Sequence, residues 1–319
     1  MSRRFQESDM VGELIDRIAK NIQRIIVGKR EVIDCVVIAL LSGGHVLIED
    51  VPGVGKTSLA SSLAKSISCT YSRIQFTPDV LPSDITGFSM YNAKKNDFEY
   101  RPGVVMNQII LADEINRTSP KTQSALLEAM EEGQVSVDGC TYELPKPFMV
   151  LATQNPIEHL GTFPLPEAQL DRFFMKLRIG YPKPEEETYI LSRFQSDNPL
   201  MELQAVSGPE EIMRAYKVIR ETHIASPIAR YIVEIVQMTR NHSDVILGIS
   251  PRGSVALSHA AQAWACYQGR DYCTPDDVRS MAMPVLTHRI KLGQDAKLRN
   301  IRATDILDEI LNTVAIPPM

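Results

Sequence analysis

The most informative stretch of this chain is Ile48-Glu49-Asp50-Val51-Pro52-Gly53-Val54-Gly55-Lys56-Thr57-Ser58, which follows a predicted strand and begins a predicted helix over residues 56–65. Glycines allow a loop to wrap closely around a phosphate, and the first turn of a helix presents free backbone amides to an anion. In this pattern the Lys56 ammonium reaches the β- and γ-phosphates, and the Thr57 hydroxyl binds Mg²⁺. The stretch predicts a nucleoside triphosphate site made by Pro52, Gly53, Val54, Gly55, Lys56, Thr57 and Ser58.

The loop departs from the general pattern at its first position, where Asp50 stands in place of a glycine. Gly53 and Gly55 still supply the flexible positions, and a strand and a helix still flank the loop. A glycine turn that binds nothing is the alternative, and the strand–loop–helix context argues against it.

A second motif is Gln108-Ile109-Ile110-Leu111-Ala112-Asp113-Glu114-Ile115-Asn116, an apolar strand that ends in two carboxylates. A buried parallel strand delivers the residues at its carboxyl end to the ligand crevice. We therefore expect Asp113 to hold the Mg²⁺ shell and Glu114 to polarise an attacking water, which favours hydrolysis over nucleotide storage. An acidic pair that only caps the helix starting near Ser119-Pro120 is the alternative.

A third strand ends in Val150-Leu151-Ala152-Thr153-Gln154-Asn155-Pro156 and carries a polar amide at its tip. There Asn155 is a candidate to orient the water or to contact the γ-phosphate. An asparagine before a proline is also a common turn residue, and the two preceding motifs are what favour the functional interpretation.

Short β-branched runs alternate with helical patterns in the first half of the chain, which is typical of a parallel sheet covered by helices on both faces. After them Tyr181-Pro182-Lys183-Pro184 interrupts regular structure, because proline lacks a backbone donor, and helical patterns dominate beyond it. We predict a nucleotide-binding α/β domain over residues 1–182 and a helical lid over residues 183–319. The predicted strands are residues 45–49, 72–76, 108–112, 148–152 and 173–179.

The composition is that of an ordinary globular protein, with 44% hydrophobic residues, 23% charged residues and a net charge of −5. This charge offers no bulk attraction for nucleic acid or for an anionic membrane. The longest apolar run, residues 35–41, is far below the roughly 20 residues that span a bilayer, and residues 1–10 lack a hydrophobic signal core. We expect a cytoplasmic protein with no nucleic-acid partner and no membrane insertion, whose five cysteines stay reduced.

The order of these motifs resembles that of the AAA+ ATPases, and four stretches narrow the resemblance to the MoxR family. The resemblance extends from about residue 26 to residue 284. It implies an AAA+ αβα sandwich with a five-stranded parallel sheet, followed by a C-terminal all-α lid. The four stretches are Gln75-Phe76-Thr77-Pro78-Asp79-Val80-Leu81-Pro82-Ser83-Asp84-Ile85-Thr86-Gly87, Ala112-Asp113-Glu114-Ile115-Asn116-Arg117, Ala152-Thr153-Gln154-Asn155-Pro156 and Leu165-Pro166-Glu167-Ala168-Gln169-Leu170-Asp171-Arg172-Phe173.

The resemblance also implies roles for single residues. Arg172 looks like an arginine finger that reaches the nucleotide of a neighbouring subunit, and a surface ion pair is its alternative. Arg252 looks like sensor 2, which points from the lid at the γ-phosphate, and a solvated arginine in a first helical turn is its alternative. Asn155 corresponds to sensor 1. Val27 and Gly28 resemble the segment that holds adenine, although a helix that ends before a glycine gives the same pattern.

Two hairpins are predicted inside the first domain. Residues 86–101 resemble the helix-2 insert of the family, and residues 134–143, with the turn pair Asp138-Gly139, resemble the hairpin that precedes sensor 1. In the family such hairpins face the ring pore or a partner. Tyr91, Phe98 and Tyr100 are candidates to grip a client protein, or they only stabilise their hairpin by cross-strand pairing.

The motifs therefore predict Mg²⁺-dependent ATP hydrolysis, and the resemblance implies a homo-oligomeric ring, a hexamer, with each active site shared between subunits and a lid that moves against the sheet domain. The resemblance implies a chaperone-like role in the maturation of a client protein or in metal insertion into it, often with a von Willebrand factor A domain partner. A nucleic-acid motor and an ATP-binding adaptor without hydrolysis are the alternatives. The negative net charge argues against the nucleic-acid motor, because the positive charges of this chain near the predicted insert are only Lys94, Lys95 and Arg101.

Overall fold

The structure, a computed structural model, describes residues 3–156, 161–193 and 199–317. None of the helices in these ranges is long and apolar enough to cross a membrane. The strands are β1 (Val46–Glu49), β2 (Tyr71–Gln75), β3 (Gly87–Asn92), β4 (Asp97–Pro102), β5 (Ile109–Asp113), β6 (Gln134–Val137), β7 (Cys140–Glu143), β8 (Met149–Gln154), β9 (Met175–Leu177), β10 (Val245–Leu247) and β11 (Lys291–Leu292). The helices are α1 (Arg3–Gln23), α2 (Arg30–Leu41), α3 (Lys56–Ser66), α4 (Pro82–Thr86), α5 (Pro120–Glu132), α6 (Glu167–Leu170), α7 (Pro184–Arg193), α8 (Pro209–Glu221), α9 (Ser226–Asn241), α10 (Pro251–Tyr267), α11 (Pro275–Leu286), α12 (Gln294–Leu298) and α13 (Ala303–Thr313).

The central sheet has the strand order β2-β5-β8-β1-β9, and every neighbouring pair in it is parallel. Leu151 in β8 lies opposite Leu111 in β5 and Val46 in β1, so these strands run side by side and their carboxyl ends lie at the same end of the sheet. All five predicted strands begin and end within two residues of the observed bounds. The predicted parallel α/β class is therefore confirmed.

Helices cover both faces of this sheet, because its side chains alternate between two separate apolar clusters. Ile48 and Leu111 belong to the cluster that includes α1, α2 and α3. Leu47 and Ile110 belong to the cluster that includes α5, where Leu126 is fully buried. The strands read as continuous apolar runs for this reason, and the molecule has the predicted αβα layers.

The C-terminal region is helical, as predicted, and adds a short antiparallel ribbon of β10 and β11. Helix α10 packs against α8, α9 and α11 within this region, and also against α1 and α2 of the N-terminal half. Leu257 of α10 and Val278 of α11 belong to the same buried cluster as Val46 and Ile48 of the sheet. The helical region and one face of the sheet therefore share a single apolar core. The domain boundary at residue 182 remains a prediction.

Both predicted hairpins are present. In the first, β3 and β4 pair from Gly87 with Pro102 to Asn92 with Asp97. In the second, β6 and β7 join through Asp138 and Gly139, whose φ values of 50° and 79° suit the predicted two-residue turn.

The Tyr91 and Phe98 rings form a cross-strand pair in the first hairpin. Their centroids lie 5.5 Å apart, and the rings meet edge to face. The Tyr91 and Phe98 side chains nevertheless remain 51% and 66% exposed. Cross-strand packing therefore accounts for only part of their surface.

His45 lies buried just before β1. Its Nδ1 accepts a hydrogen bond from the Val150 backbone nitrogen at 3.0 Å, and its Nε2 lies 3.1 Å from the Met130 carbonyl oxygen. The neutral ring with its proton on Nε2 satisfies both neighbours. Burial lowers the pKa of His45 to about 4.

We expect the His45→Asn variant to lose less stability in mild acid than the wild type does. Below pH 6.5 the unfolded chain protonates this histidine while the folded chain does not, so stability falls as the pH falls from 6.5 to 4. The full shift corresponds to about 3 kcal/mol. Urea unfolding at pH 7 and at pH 4.5 measures the loss, and equal losses in both proteins would contradict this role of His45.

Candidate nucleotide site

Three polar positions follow the carboxyl ends of neighbouring strands. Asp50 follows β1, Asp113 ends β5, and Asn155 follows β8. Because Ile48 pairs with Thr153 in parallel register, these positions meet at the end of the sheet where the carboxyl ends of its strands lie, and we name this end the carboxyl edge. Asn155 is buried there, with 7% of its surface exposed.

The phosphate loop connects β1 to α3 at the carboxyl edge. Gly53 and Gly55 have φ values of 87° and 92°, in the left-handed region that favours glycine. Lys56 Nζ donates a hydrogen bond to the Asp50 carbonyl oxygen at 2.8 Å. Burial lowers the pKa of Lys56, and nearby carboxylates, Asp113 first among them, oppose that shift. The Lys56 ammonium is therefore held at the start of the loop among groups that favour its charged form.

The Asp50 side chain fixes the entrance of the loop. Asp50 Oδ1 accepts a hydrogen bond from the Val51 backbone nitrogen at 2.8 Å. Asp50 Oδ2 accepts two more, from the backbone nitrogens of Ile179 at 2.7 Å and Gly180 at 2.6 Å. A buried carboxylate with three backbone donors replaces the usual glycine and ties the loop to the chain that leaves β9. The sequence indicated only that a glycine is missing at this position. It did not predict the partners of Asp50, because Ile179 and Gly180 lie far along the chain.

Asp113 presents its carboxylate where the strands β2, β5 and β8 end. Asp113 Oδ1 accepts from the Thr153 hydroxyl at 2.6 Å, and Asp113 Oδ2 pairs with an Arg73 Nη2 at 2.7 Å. Thr57, in the first turn of α3, supplies a hydroxyl beside the loop. One carboxylate and one hydroxyl, completed by phosphate oxygens, are the donors that Mg²⁺ takes in nucleotide sites, so these residues fit that ion. The described residues contain no group of three or more metal-binding side chains that would form a separate protein cage.

Glu114 is held in an unusual backbone conformation next to Asp113. Its φ of 57° and ψ of 49° are left-handed, which is uncommon for a residue with a side chain. The Glu114 backbone nitrogen donates to the Thr153 hydroxyl at 2.9 Å. Its Oε2 accepts from Gln75 Nε2 at 2.7 Å and pairs with Arg117 Nε at 3.0 Å. Strain of this kind concentrates at functional sites, and here it accompanies the contacts of the Glu114 carboxylate with Gln75 and Arg117.

Sequence reasoning missed the partners of these two carboxylates. Arg73 and Gln75 lie two residues apart on β2, so they project from the same face of the strand, and Gln75 pairs in register with Asp113. Thr153 occupies the corresponding position on β8. Thr153, a polar residue near the end of an otherwise apolar strand, was the available signal, but only the strand order makes β2 and β8 the neighbours of β5.

The segment predicted to hold adenine lies between α1 and α2, beside the phosphate loop. A Cβ atom added at Gly55 would lie 3.5 Å from the Ile26 side chain, which places residues 26–28 against the loop. Gly28 has a φ of 70°, and the Glu186 side chain packs where a Cβ would stand. Lys29 Nζ donates to the Tyr181 carbonyl oxygen at 2.8 Å. Gly28 therefore lies beside Glu186 of α7 and close to the loop, but it remains exposed, and Val27 is half-buried.

Arg172 and Arg252 lie at the opposite end of the sheet, where the amino ends of its strands lie, and we name this end the amino edge. Arg172 precedes β9, whose first residue pairs with the first residue of β1, so it lies at least about 10 Å from the phosphate loop along the strands. Arg172 Nε pairs with Glu131 Oε2 at 3.0 Å, and Arg252 also pairs with Glu131. Arg252 therefore lies away from the phosphate loop of its own chain, and its role at a γ-phosphate stays a prediction. The first turn of α10, which carries Arg252, lies at the amino edge.

The comparisons agree with this geometry. The sequence matches the family model described as "ATPase family associated with various cellular activities (AAA)" over residues 45–175, and the AAA lid domain model over residues 237–310. Fold, phosphate loop and these matches define a P-loop protein of the AAA+ ATPase class.

Proteins similar to this chain identify its family within the AAA+ ATPase class. The chain is 54% identical to YeaC of Bacillus subtilis over 95% of both chains. It is 41% identical to Chaperone MoxR1 of Mycobacterium tuberculosis, over 95% of this chain and 82% of that protein. The crystal structure of a protein from Cytophaga hutchinsonii superposes with a TM-score of 0.91 at 38% identity, over 98% of both chains. This chain belongs to the MoxR family of AAA+ ATPases.

Proposed function

We propose that this protein hydrolyses ATP with Mg²⁺ at the carboxyl edge. Lys56 binds the β- and γ-phosphates, Thr57 and Asp113 hold the ion, Glu114 activates the water and Asn155 orients it. Val27 and Gly28 contact adenine. What supports these roles is the convergence of one ammonium, two carboxylates and one amide at the ends of three adjacent strands.

We further propose that each site is completed by a neighbouring chain. The single observation that carries this proposal is the position of Arg172 and Arg252 at the amino edge, away from the phosphate loop of their own chain. A contact between the amino edge of one chain and the carboxyl edge of the next is head to tail, and repeated contacts of this kind form a ring when the rotation between neighbours closes. We expect a hexamer in which Arg172 and Arg252 contact the γ-phosphate held by the next chain.

The proposed work of this ring is chaperone-like. A relative at 41% identity is named a chaperone, and the first hairpin exposes Phe88, Tyr91 and Phe98 on a rigid two-stranded support. Exposed aromatic side chains of this kind suit contact with a client protein. We propose that hydrolysis assists the maturation of such a client or metal insertion into it, with a von Willebrand factor A domain protein as a partner.

Turnover per chain should rise steeply with protein concentration, because a separated chain lacks the two arginines of its neighbour. Phosphate release is measured from nanomolar to micromolar protein with excess Mg²⁺ and ATP, and chelation of Mg²⁺ should stop it. The Lys56→Ala variant is the control for contaminating activity. Constant turnover per chain on dilution to monomers would refute the shared site, and no turnover at any concentration would favour the adaptor.

A further inference from the structure

One carboxylate lies between the two arginines of the amino edge. Glu131 Oε2 pairs with Arg172 Nε at 3.0 Å, and Glu131 Oε1 pairs with an Nη of Arg252. Arg172 belongs to the sheet domain and Arg252 to the first turn of α10 in the helical region. Glu131 therefore brings together two guanidinium groups that arise from different parts of the fold.

The position of Glu131 has no local structural advantage. It is the penultimate residue of α5, and a carboxylate near the carboxyl end of a helix is disfavoured by the helix dipole. The backbone before it is nevertheless fixed, since the Met130 carbonyl contacts the buried His45 ring. A rigid helix end thus presents an acid where the helix itself favours a base, which points to a role in the contacts with Arg172 and Arg252.

A second carboxylate aligns the elements that carry the arginines. Asp171 Oδ2 accepts from the Ser250 hydroxyl at 2.7 Å, and Asp171 Oδ1 pairs with Arg289 Nε at 2.7 Å. Asp171 precedes Arg172, and Ser250 caps the helix that begins just before Arg252. The backbones of the two arginines are therefore connected through partly buried contacts, and Glu131 adds the alignment of their side chains.

The arginines retain donors for a further anion. A guanidinium has five N–H groups, and Glu131 uses Nε of Arg172 and one Nη of Arg252. The side chains of Arg172 and Arg252 remain 31% and 43% exposed. They line a cavity of about 220 Å³ whose other charged residues include Arg220 and Arg289. Four arginines against two carboxylates give this cavity a positive charge that suits a phosphate.

We propose that Glu131 is a positioning residue that holds Arg172 and Arg252 side by side, ready for the terminal phosphate of the ATP bound by a neighbouring chain. This inference rests on the shared site proposed above. Glu131 does not contact the nucleotide. It orients the free donors of both arginines before the neighbour arrives, so that less side-chain ordering is required when the site is completed.

The Glu131→Gln variant tests this proposal, because it keeps the size of the side chain and removes its charge. We expect kcat to fall by about 10- to 100-fold at saturating protein concentration. The KM for ATP and the binding of nucleotide to dilute, separated chains should not change, since the phosphate loop is untouched. The Glu132→Gln variant, one residue along the same exposed helix end, is the matched control and should behave as the wild type.

A double-mutant cycle separates positioning from a general structural role. In the Arg252→Ala background, which keeps Arg172, Glu131→Gln should lower kcat by less than it does in the wild type, because Glu131 acts only through the two arginines. Unchanged kcat in Glu131→Gln, or a loss that adds fully in the Arg252→Ala background, overturns the proposal. If Arg172→Ala/Arg252→Ala alone keeps full turnover, the shared site itself fails and the role of Glu131 fails with it. If Glu131→Gln raises the KM for ATP and lowers both the thermal stability and kcat, Glu131 is a structural residue, and this result also overturns the proposal.

Discussion

Turnover of ATP by the Glu114→Gln variant should fall by about 10²- to 10⁴-fold, which is the usual contribution of a general base. The amide keeps the shape of the side chain and can still accept from Gln75, but it cannot take a proton from water. Nucleotide binding should persist, because Lys56 and Thr57 are unchanged. Phosphate release and the binding of a fluorescent ATP analogue measure the two properties separately.

The neighbouring carboxylate provides the matched control for this variant. Asp113→Asn should weaken the contribution of Mg²⁺ to nucleotide binding, whereas Glu114→Gln should leave that contribution intact. The Thr153 hydroxyl donates to the Asp113 carboxylate and accepts from the Glu114 backbone nitrogen, so a change in local packing would affect the two variants alike. Intact turnover by Glu114→Gln with normal binding would show that another group activates the water.

The Arg172→Ala variant should lose about 10³- to 10⁵-fold in turnover, the range observed for arginine fingers supplied by a partner. Its own phosphate loop, carboxylates and Asn155 remain complete. The Lys56→Ala variant should also be inactive, because it does not hold the phosphates. Each variant lacks a different half of the same composite site.

Mixing these two inactive proteins should restore turnover. A site is complete when an Arg172→Ala chain binds ATP and a Lys56→Ala chain supplies Arg172, which in an equal random mixture is about one quarter of the sites. Phosphate release is measured for each protein alone and for the mixture at the same total concentration. A mixture no more active than its components would mean that Arg172 does not act between chains.

The phosphate loop and the carboxylates could be predicted because their chemistry depends on neighbours in sequence. Gly53, Gly55 and Lys56 lie within four residues of one another, and a short, isoleucine-containing apolar run that ends in Asp113 favours a buried strand. The turn at Asp138-Gly139 could also be predicted from the sequence, since a turn with positive φ values favours those residue types. Local conformational preference determines each of these features.

The remaining features depend on contacts between distant parts of the chain. Asp50 meets backbone donors 129 and 130 residues away, and nothing in its neighbourhood in sequence identifies them. The position of Arg252 depends on which side of the sheet the helical region docks, and that choice is made by packing of α10 against α1 and α11. Amphipathic patterns show that a helix buries one face, but they do not identify its partner.

The shared apolar core limits how this protein can move. Opening a hinge between the sheet and the helical region would expose side chains such as Leu257 and Val278, at roughly 1.5–3 kcal/mol for each one. Asp171 and Arg289 would also be separated, leaving a buried guanidinium without its carboxylate. We therefore expect each chain to rotate as a stiff body during the nucleotide cycle. The compliant parts of a ring would then be the seams between chains, where ATP itself is bound, so mechanical work would be generated at the same surfaces that complete the active sites.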